Sequence, residues 1–438
     1  MRRRLALSIA ALAIVPALAA CGDEQEEVTA VRPVDADCGE VMYSGSAEPS
    51  KLIVSDLPLH GDSAERSEQM NDAILQEVAR KGWQAGADIQ LALQFCDDSL
   101  PSTGEWDEGR CRANARAYAS NPDVIGVIGT YNSGCAAVMI PILNRAPGGG
   151  VPMVSPGNTL VCLTEPASIC KPSEPGAYYP NGRRNYARVV ANDAVQGAGL
   201  ATFASEQAIR KPYVLYAADD PTSLGLARTF EGAARALGMR IAGFDRWNPW
   251  ATSYRRLMGN VESSGADAVL IAGLLEQNGA PLIRDKVAVL GPNDGPVKLL
   301  APDGFAQQET IDQAGALSRG MFVSLPGKVP GALSGDGAIF VGELRSQVGH
   351  EPIEVFAPYA GAAAHVLIEA IRIGKDRAGT VAALFDGRLR RSITGAFTIT
   401  PSGDPTPAPI SVQRAGEAFE LERTIVPPPE LVTAARGG

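Results

Sequence analysis

Short apolar runs alternate with polar turns over the first part of the chain. The runs that predict strands, each ending in glycine or small polar residues, lie at 51–57, 89–95, 124–128 and 151–154. Apolar residues at helical spacing predict the intervening helices, at 64–81, 110–120 and 136–143. Strand and helix therefore alternate, which predicts an open parallel sheet of the α/β class.

The same pattern restarts after a loop at 160–185 that is rich in proline, glycine and serine and is expected at the surface. Strands are predicted at 213–217, 239–244, 268–272, 297–301 and 321–325. The helices predicted between and after them lie at 224–237, 254–264, 283–290, 337–348, 359–373 and 381–389. A strand at 393–399 and an edge hairpin at 419–426 follow, and residues 427–438 are expected to be disordered. The sequence thus predicts two Rossmann-like lobes of similar plan.

Two small polar turns, at 130–134 and 155–159, follow neighbouring predicted strands. In open α/β sheets this edge is where ligands bind. Asn132 or Ser133 can cap the helix that follows the first turn, and the free N–H groups of a helix N-terminus favour an anion. The stretch 124–159 is therefore a candidate cradle for a small carboxylate. The alternative is an ordinary βαβ unit, which also has small polar turns here.

Composition narrows the function. The chain has 438 residues, 45% hydrophobic and 20% charged, with a net charge of −10. This is ordinary for a soluble globular protein, and the acidic balance gives no electrostatic reason to bind nucleic acid. The sequence has only three histidines and no phosphate-binding or hydrolase motif, so neither an enzyme nor a cofactor is predicted.

The N-terminus has the three parts of a secretory signal. Basic residues at 2–4 precede an apolar stretch at 5–17, and the stretch ends in the small residues before Cys21. The sequence LAAC resembles a bacterial lipobox, which implies removal of residues 1–20 and a lipid on Cys21. Residues 21–48 are then expected to be a flexible tether. The protein is predicted to be extracytoplasmic and anchored to the cell membrane.

Six cysteines remain when Cys21 is set aside, an even number that suits an oxidising compartment. They allow fifteen disulfide connectivities, among which sequence alone does not choose. The expected set is Cys38–Cys135, Cys96–Cys111 and Cys162–Cys170. No cysteine or histidine pair has zinc-ligand spacing, so no metal site is predicted.

Five short motifs in one order resemble the periplasmic branched-chain amino-acid binding proteins, the type I solute-binding family of ABC transporters. Residues 55–61 (SDLPLHG) resemble the family's opening strand and turn. Residues 127–129 (VIG) with Ser133, and residues 153–159 (MVSPGNT), resemble its two first-lobe turns. Residues 216–228 and the PDG turn at 302–304 resemble its second-lobe strand ends. The resemblance covers about residues 50–400.

The resemblance implies two lobes joined by three hinge crossovers, near 186–190, 321–325 and 394–398. Lobe 1 would comprise 49–187 plus 325–394, and lobe 2 would comprise 188–324 plus 395–426. It also implies a monomer that hands its ligand to the permease subunits of a transporter.

The resemblance also implies site residues. A ligand carboxylate would be held by Ser133, by the backbone of Gly157 and by Thr159, in turns that include Ser155. Asp303 would hold the ligand ammonium. The chain departs from the family at several positions that line the pocket. Thr222 stands where the family has an aromatic residue, and Leu274 and Leu275 stand where aromatics are common. Arg66 replaces a first-lobe aromatic and could meet a second acidic group.

The predicted ligand is accordingly amino-acid-like, either branched-chain or hydrophobic. Acidic amino acids, small amides and ureas remain open. Two other functions remain as alternatives: a sensor or receptor subunit of the same fold and, with less support, an extracytoplasmic hydrolase.

Overall fold

The computed structural model describes residues 31–349 and 352–438. The expected signal peptide at 1–20 and the expected lipid site at Cys21 lie outside these residues. Within them, helices cover two large sheets, each with seven strands.

The first sheet is built from the N-terminal part of the chain. Its strands are β1 (Cys38–Met42), β2 (Lys51–Leu57), β3 (Gln84–Ala85), β4 (Ile89–Asp97), β5 (Val124–Gly129), β6 (Met153–Ser155) and β7 (Tyr186–Arg188). They lie in the order β1-β4-β2-β5-β6-β7, with β3 beside β4. Strands β2, β4, β5, β6 and β7 are parallel, and β1 is an antiparallel edge strand. The helices of this part are α1 (Ala64–Arg80), α2 (Glu108–Ser120) and α3 (Ser133–Asn144).

The second sheet repeats the plan. Its first elements are α4 (Asp193–Glu206), β8 (Pro212–Ala217), α5 (Pro221–Ala236), β9 (Gly243–Trp247), α6 (Arg255–Ser264), β10 (Ala268–Ala272), α7 (Gly279–Leu290), β11 (Lys298–Ala301), α8 (Gln308–Ala314) and β12 (Phe322–Leu325). The elements after β12 are α9 (Asp336–Val348), α10 (Ala357–Gly374), α11 (Arg377–Leu384), β13 (Arg390–Ser392), β14 (Gly395–Ile399), β15 (Pro405–Thr406), β16 (Ile410–Ala415), β17 (Phe419–Ile425) and α12 (Pro429–Arg436). The strand order is β17-β16-β12-β11-β10-β8-β9, and β13, β14 and β15 form a small third sheet.

The chain passes between the two large sheets three times, after β7, after β12 and after β15. The second passage returns α10 to the first sheet, where it packs on α1, β5 and β6. The close approach depends on Gly126 of β5, because a methyl group there would lie only 2.8 Å from Leu367 of α10. We call the first sheet with α1–α3 and α9–α11 lobe 1, and the second sheet with α4–α8 and α12 lobe 2.

A buried ion pair joins the first and third passages. Arg188, at the end of β7, is fully buried, and its Nε lies 2.8 Å from Oδ1 of Asp404. Asp404 also accepts hydrogen bonds from Thr164 Oγ1 at 3.0 Å and from Asn192 Nδ2 at 3.1 Å. The same guanidinium donates through Nη1 to the carbonyl of Asn158 at 2.8 Å. This cluster therefore couples the hinge to the turn after β6.

The disulfides correct two of the expected pairings. The structure joins Cys38 to Cys96 and Cys111 to Cys135, in place of Cys38–Cys135 and Cys96–Cys111. Strand β1 explains the first of these pairings, because its pairing with β4 puts Cys38 directly opposite Cys96. Helices α2 and α3 then pack side by side, with the Cα atoms of their two cysteines 5.6 Å apart. The structure also contains the expected Cys162–Cys170 disulfide.

The two ends of the described chain are ordered where the sequence suggested otherwise. In the expected tether, Val31 and Val34 are buried and β1 joins the first sheet. In the expected disordered tail, α12 packs on α4 and α5 and buries Leu431 and Ala435. Both segments are short and amphipathic, so tertiary packing and not local propensity determines their structure.

Candidate functional site

A cavity of about 390 Å³ lies between the lobes, at the carboxyl ends of β5, β6, β8, β10 and β11. The lobe 1 residues that line it include Trp106, Tyr131, Asn132, Ser133, Gly134, Gly157, Thr159 and Leu160. The lobe 2 residues that line it include Asp193, Asp220, Thr222, Ser223, Leu226, Leu274, Gln277 and Asp303. We call this space the ligand cavity.

Ser133 links the two lobe 1 turns. Its Oγ accepts hydrogen bonds from the backbone N–H groups of Thr159 and Leu160, both at 3.2 Å. Since these two bonds occupy its lone pairs, the hydroxyl proton is left to donate into the cavity. Ser133 is also the first residue of α3. Within the part of the chain that the structure describes, no side chain caps this helix, so its N-terminal N–H groups and positive dipole end face the same space.

Ser155 builds the second turn and does not line the cavity. Its hydroxyl donates to the carbonyl of Thr130 at 2.9 Å and accepts from the N–H groups of Gly157 at 3.2 Å and Asn158 at 2.9 Å. The Gly157 N–H is therefore already engaged. Gly157 lines the cavity. A side chain would not fit at this position, because a Cβ there would come within 2.9 Å of the Tyr131 ring.

Asp193 is a buried acidic residue at the start of α4, with 1% of its surface exposed. Its Oδ2 has no hydrogen-bond partner among the described residues. Burial raises the pKa of Asp193 to about 7, and a hydrogen bond from the Thr159 side chain opposes that rise. Asp193 lines the cavity, and a buried carboxylate with an unpartnered oxygen is suited to a cationic ligand group, which would supply the missing partner.

Asp303 provides a second carboxylate from lobe 2, in the turn after β11. Its Oδ1 accepts a hydrogen bond from Gln196 Nε2 at 2.7 Å. Burial raises the pKa of Asp303 above its ordinary value, while the hydrogen bond from Gln196 and the positive charge of Arg66 lower it. Asp303 and Asp193 also interact electrostatically, so the two residues form one acidic wall.

Asp220, Ser223 and Gln277, also in the lobe 2 wall, are polar and hydrogen-bonded to one another. Asp220 caps α5 by accepting from the N–H of Thr222 at 2.9 Å. Its second oxygen accepts from Gln277 Nε2 at 2.8 Å and from the Ser223 hydroxyl. Both oxygens of Asp220 thus have partners, unlike Oδ2 of Asp193.

Six of the nine ligand-binding residues expected from the sequence line the cavity: Ser133, Gly157, Thr159, Thr222, Leu274 and Asp303. Ser155, Leu275 and Arg66 lie outside its lining. Leu275 is buried in the core of lobe 2 because its side chain points away from the cavity, into the apolar cluster.

Arg66 sits behind the cavity and lines a separate space of about 570 Å³. Its guanidinium carbon lies 4.9 Å from the centre of the Tyr131 ring, on which it stacks. Its Nε lies 3.6 Å from Glu354, and its Nη2 lies 4.0 Å from Glu276 of lobe 2. These two carboxylates flank the charge, so the structure places Arg66 between the lobes and outside the lining of the ligand cavity.

Several lining residues were not predicted from the sequence. Asp193 follows the hinge strand β7, and five others lie on lobe 1 loops: Trp106, Ile169, Lys171, Glu174 and Tyr178. An acidic residue just after a predicted crossover was the available signal for Asp193. The pair of cysteines at 162 and 170 was the signal that the 160–185 loop is a fixed structure.

Two groupings in the described residues bring possible metal ligands together: Asp98 with Cys111 and Cys135, and Glu174 with Cys162 and Cys170. In both groupings the cysteines are disulfide-bonded, so their sulfur atoms are not thiolate ligands. Separately, none of the helices in 31–349 and 352–438 has the combined length and apolar character needed to cross a bilayer.

Comparison with solved structures shows the fold. The chain is similar to a leucine-binding protein LivK from Thermotoga maritima, with a TM-score of 0.72 and 21% identity over 86% of this chain and 99% of that one. It is similar to the branched-chain amino-acid binding protein LivJ from Streptococcus pneumoniae, solved with isoleucine, with a TM-score of 0.69 and 16% identity over 86% and 99% of the two chains.

A third similar structure has a different ligand. It is a solute-binding protein of an ABC transporter from R. palustris in complex with 4-hydroxybenzoate, with a TM-score of 0.71 and 15% identity over 86% of this chain and 98% of that one. No curated protein matches the sequence. The structural likeness establishes the two-lobed, type I periplasmic-binding-protein fold.

The family model for periplasmic binding proteins matches residues 63–415, most of the chain. That range includes most of both lobes, the three passages and the lining of the ligand cavity. The chain therefore belongs to the periplasmic binding protein family, whose members bind solutes and are not enzymes.

Proposed function

We propose that this protein is the ligand-capture subunit of an ABC transporter and that its ligand is an amino-acid-like zwitterion. Lobe 1 offers hydrogen-bond donors, namely the Ser133 hydroxyl and the N-terminus of α3, which suit a carboxylate. Lobe 2 offers the carboxylates of Asp193 and Asp303, which suit an ammonium group. A zwitterion bridges both lobes and so stabilises the closed form.

The observation that carries this proposal is the unpartnered Oδ2 of Asp193 beside Asp303. Two neighbouring carboxylates in one cavity repel each other, and a ligand ammonium removes that repulsion. Membership of the family implies an extracytoplasmic location. A membrane anchor through a lipid on Cys21 and delivery to permease subunits complete the proposal, and both rest on the sequence and the family.

A second candidate ligand is an aromatic acid, because a structurally similar protein was solved with 4-hydroxybenzoate. The rings of Trp106, Tyr131 and Tyr178 around the cavity favour this candidate. The acidic wall opposes it, because an aromatic acid has no cation to place between Asp193 and Asp303.

Calorimetry against leucine, isoleucine, phenylalanine, benzoate and 4-hydroxybenzoate tests the proposal. We expect an amino acid to bind without turnover and Asp303→Asn to weaken its binding at least thirtyfold, roughly the loss caused by removing one member of a buried charge pair. Thr222→Ala is the matched control on the same wall and should weaken binding only a few-fold.

The absence of heat with every amino acid would overturn the proposal. So would a loss of binding in Thr222→Ala that Asp303→Asn does not show. Binding of the benzoates alone would favour the second candidate.

A further inference from the structure

The loop between β6 and β7 forms one side of the ligand cavity. The residues of this loop that line the cavity are Leu160, Cys162, Ile169, Lys171, Glu174 and Tyr178. The Cys162–Cys170 disulfide closes part of it, with a sequence separation of 8 residues. A short covalent ring of this kind has few conformations, so its side chains are held in place. We call residues 160–178 the disulfide loop.

The disulfide loop starts from lobe 1 but is fastened to lobe 2. The N–H of Ser168 donates to the carbonyl of Arg436 in α12 at 2.9 Å, and the Ser168 hydroxyl donates to the carbonyl of Gly438. The side chain of Arg436 also forms an ion pair with Glu165 at 3.4 Å. The loop therefore spans the opening between the lobes.

Ile169 is placed next to the charged end of the cavity. Ile169 packs on α5 at Gly225: a methyl group added to this glycine would lie 3.0 Å from Cδ1 of Ile169. The added methyl group would also lie 3.8 Å from Oδ2 of Asp193. A ligand whose ammonium meets Asp193 would therefore lie close to Ile169.

The polar groups of the loop are paired with each other. Glu174 accepts from the Tyr178 hydroxyl at 2.8 Å and from the N–H of Lys171 at 2.9 Å. Since both carboxylate oxygens are engaged, the loop presents mainly the aliphatic surface of Ile169 and the ring of Tyr178. Trp106 and Leu226 also line the cavity.

We propose that the disulfide loop selects the ligand by its side chain, with Ile169 as the specificity-determining residue and apolar or aromatic side chains as the preferred class. This inference rests on the proposed function, because it takes the ligand head group to lie between Ser133 and the two aspartates. The loop adds a wall that the lobe 1 and lobe 2 turns do not provide.

Calorimetry with alanine, leucine and phenylalanine on the whole protein tests the inference. Ile169→Trp should fill the space beside Asp193 and weaken leucine and phenylalanine at least tenfold more than alanine. Ile169→Ala should weaken leucine about fivefold and leave alanine within twofold. Ser173→Ala, an exposed position on the same loop outside the cavity lining, is the control and should change none of the three.

The outcomes separate the two proposals. If the wild type binds these amino acids and both Ile169 variants leave the leucine-to-alanine ratio unchanged, the inference is wrong and the proposed function stands. If the wild type binds none of them, the proposed function is wrong and the inference fails with it. If Ile169→Trp does not fold, the Ile169→Ala ratio decides.

Discussion

Asp193 lines the ligand cavity, and its buried Oδ2 has no hydrogen-bond partner among the described residues. Burial raises the pKa of this residue to about 7, so near neutral pH the empty cavity contains a mixture of the acid and its carboxylate. An ammonium group binds the carboxylate and an anion prefers the neutral acid. The two candidate ligands therefore have opposite pH dependence.

We predict that amino-acid binding weakens as the pH falls from 8 to 6. Below about 7 the proton on Asp193 must leave before the ammonium can bind, and this costs up to tenfold in affinity per pH unit. Titration calorimetry at several pH values measures the change. Asp193→Asn should bind weakly and show a much flatter profile.

A tighter complex at pH 6 than at pH 8 would contradict this assignment and favour an aromatic acid. Asp220→Asn provides a control, because both oxygens of Asp220 have partners within the protein. We expect it to keep the direction of the pH dependence and to move its midpoint to lower pH, because the charge of Asp220 helps to raise the pKa of Asp193.

Ser133 and Thr159, expected from the sequence, line the cavity because they follow short buried strands at a recognisable edge. Asp303, expected from the second-lobe turn, lines it for the same reason. Arg66 does not line it, because its position along α1 is clear from the sequence but its direction depends on Tyr131 and Glu354. Contacts between distant parts of the chain decide such orientations.

At the scale of elements, the hinge depends on one buried ion pair. Arg188 and Asp404 lie on different passages between the lobes, and Thr164 and Asn192 complete the hydrogen bonds of Asp404. Removing one member of a buried pair leaves the other charge without a partner, which is strongly destabilising.

We predict that Asp404→Ala lowers the free energy of unfolding by about 3 kcal/mol, because Arg188 would stay buried and uncompensated. Urea unfolding followed by circular dichroism measures the change. Asp88→Ala is the control: Asp88 pairs with Lys375 at 3.0 Å on the surface, and its loss should cost less than about 1 kcal/mol. Equal effects of the two substitutions would contradict the structural role given to the hinge pair.

Most predicted helices and strands occur within a few residues of their expected positions, but α4 was not predicted. The reason is that α4 is buried on nearly all its faces and therefore lacks the amphipathic period of a surface helix. Its glycines allow α4 to pack closely on α5. A methyl group on Gly197 would not fit there, because it would lie 2.7 Å from the backbone N of Phe230 in α5. Strand β1 and helix α12 were missed because each is fixed by packing on an element distant in sequence.

At the scale of the molecule, lobe 1 encloses a pair of acids. Asp56 and Asp98 are fully buried, and Asp56 accepts hydrogen bonds from Asn114 and Tyr118. Burial raises the pKa of Asp56 to about 7, and burial together with the nearby Asp56 and Asp97 holds the pKa of Asp98 well above its ordinary value. At least one of the pair therefore keeps its proton in the folded protein near neutral pH.

We predict that the ligand-free protein becomes less stable as the pH rises from about 4 to about 7. Over that range the unfolded chain releases protons that the folded protein retains, so the free energy of unfolding decreases. Thermal unfolding at pH 5 and pH 8 should show a higher midpoint at pH 5.

Asp98→Asn replaces one acid with a neutral group of similar shape, so it should reduce this difference. Asp193, whose pKa is also raised, contributes to the difference in the same direction, so part of the difference should remain in Asp98→Asn. A midpoint that is the same at both pH values in the wild type would contradict the prediction.

The Cys38–Cys96 disulfide fastens the N-terminal end of the described chain to lobe 1. Because Val31 is buried and β1 is bonded to lobe 1, the folded body begins ten residues after Cys21. If Cys21 carries the lipid that the sequence predicts, the segment between the lipid and the folded body cannot be longer than about 36 Å even when fully extended. So short a segment would confine each molecule to a thin layer over the bilayer and raise its local concentration at a permease in the same membrane.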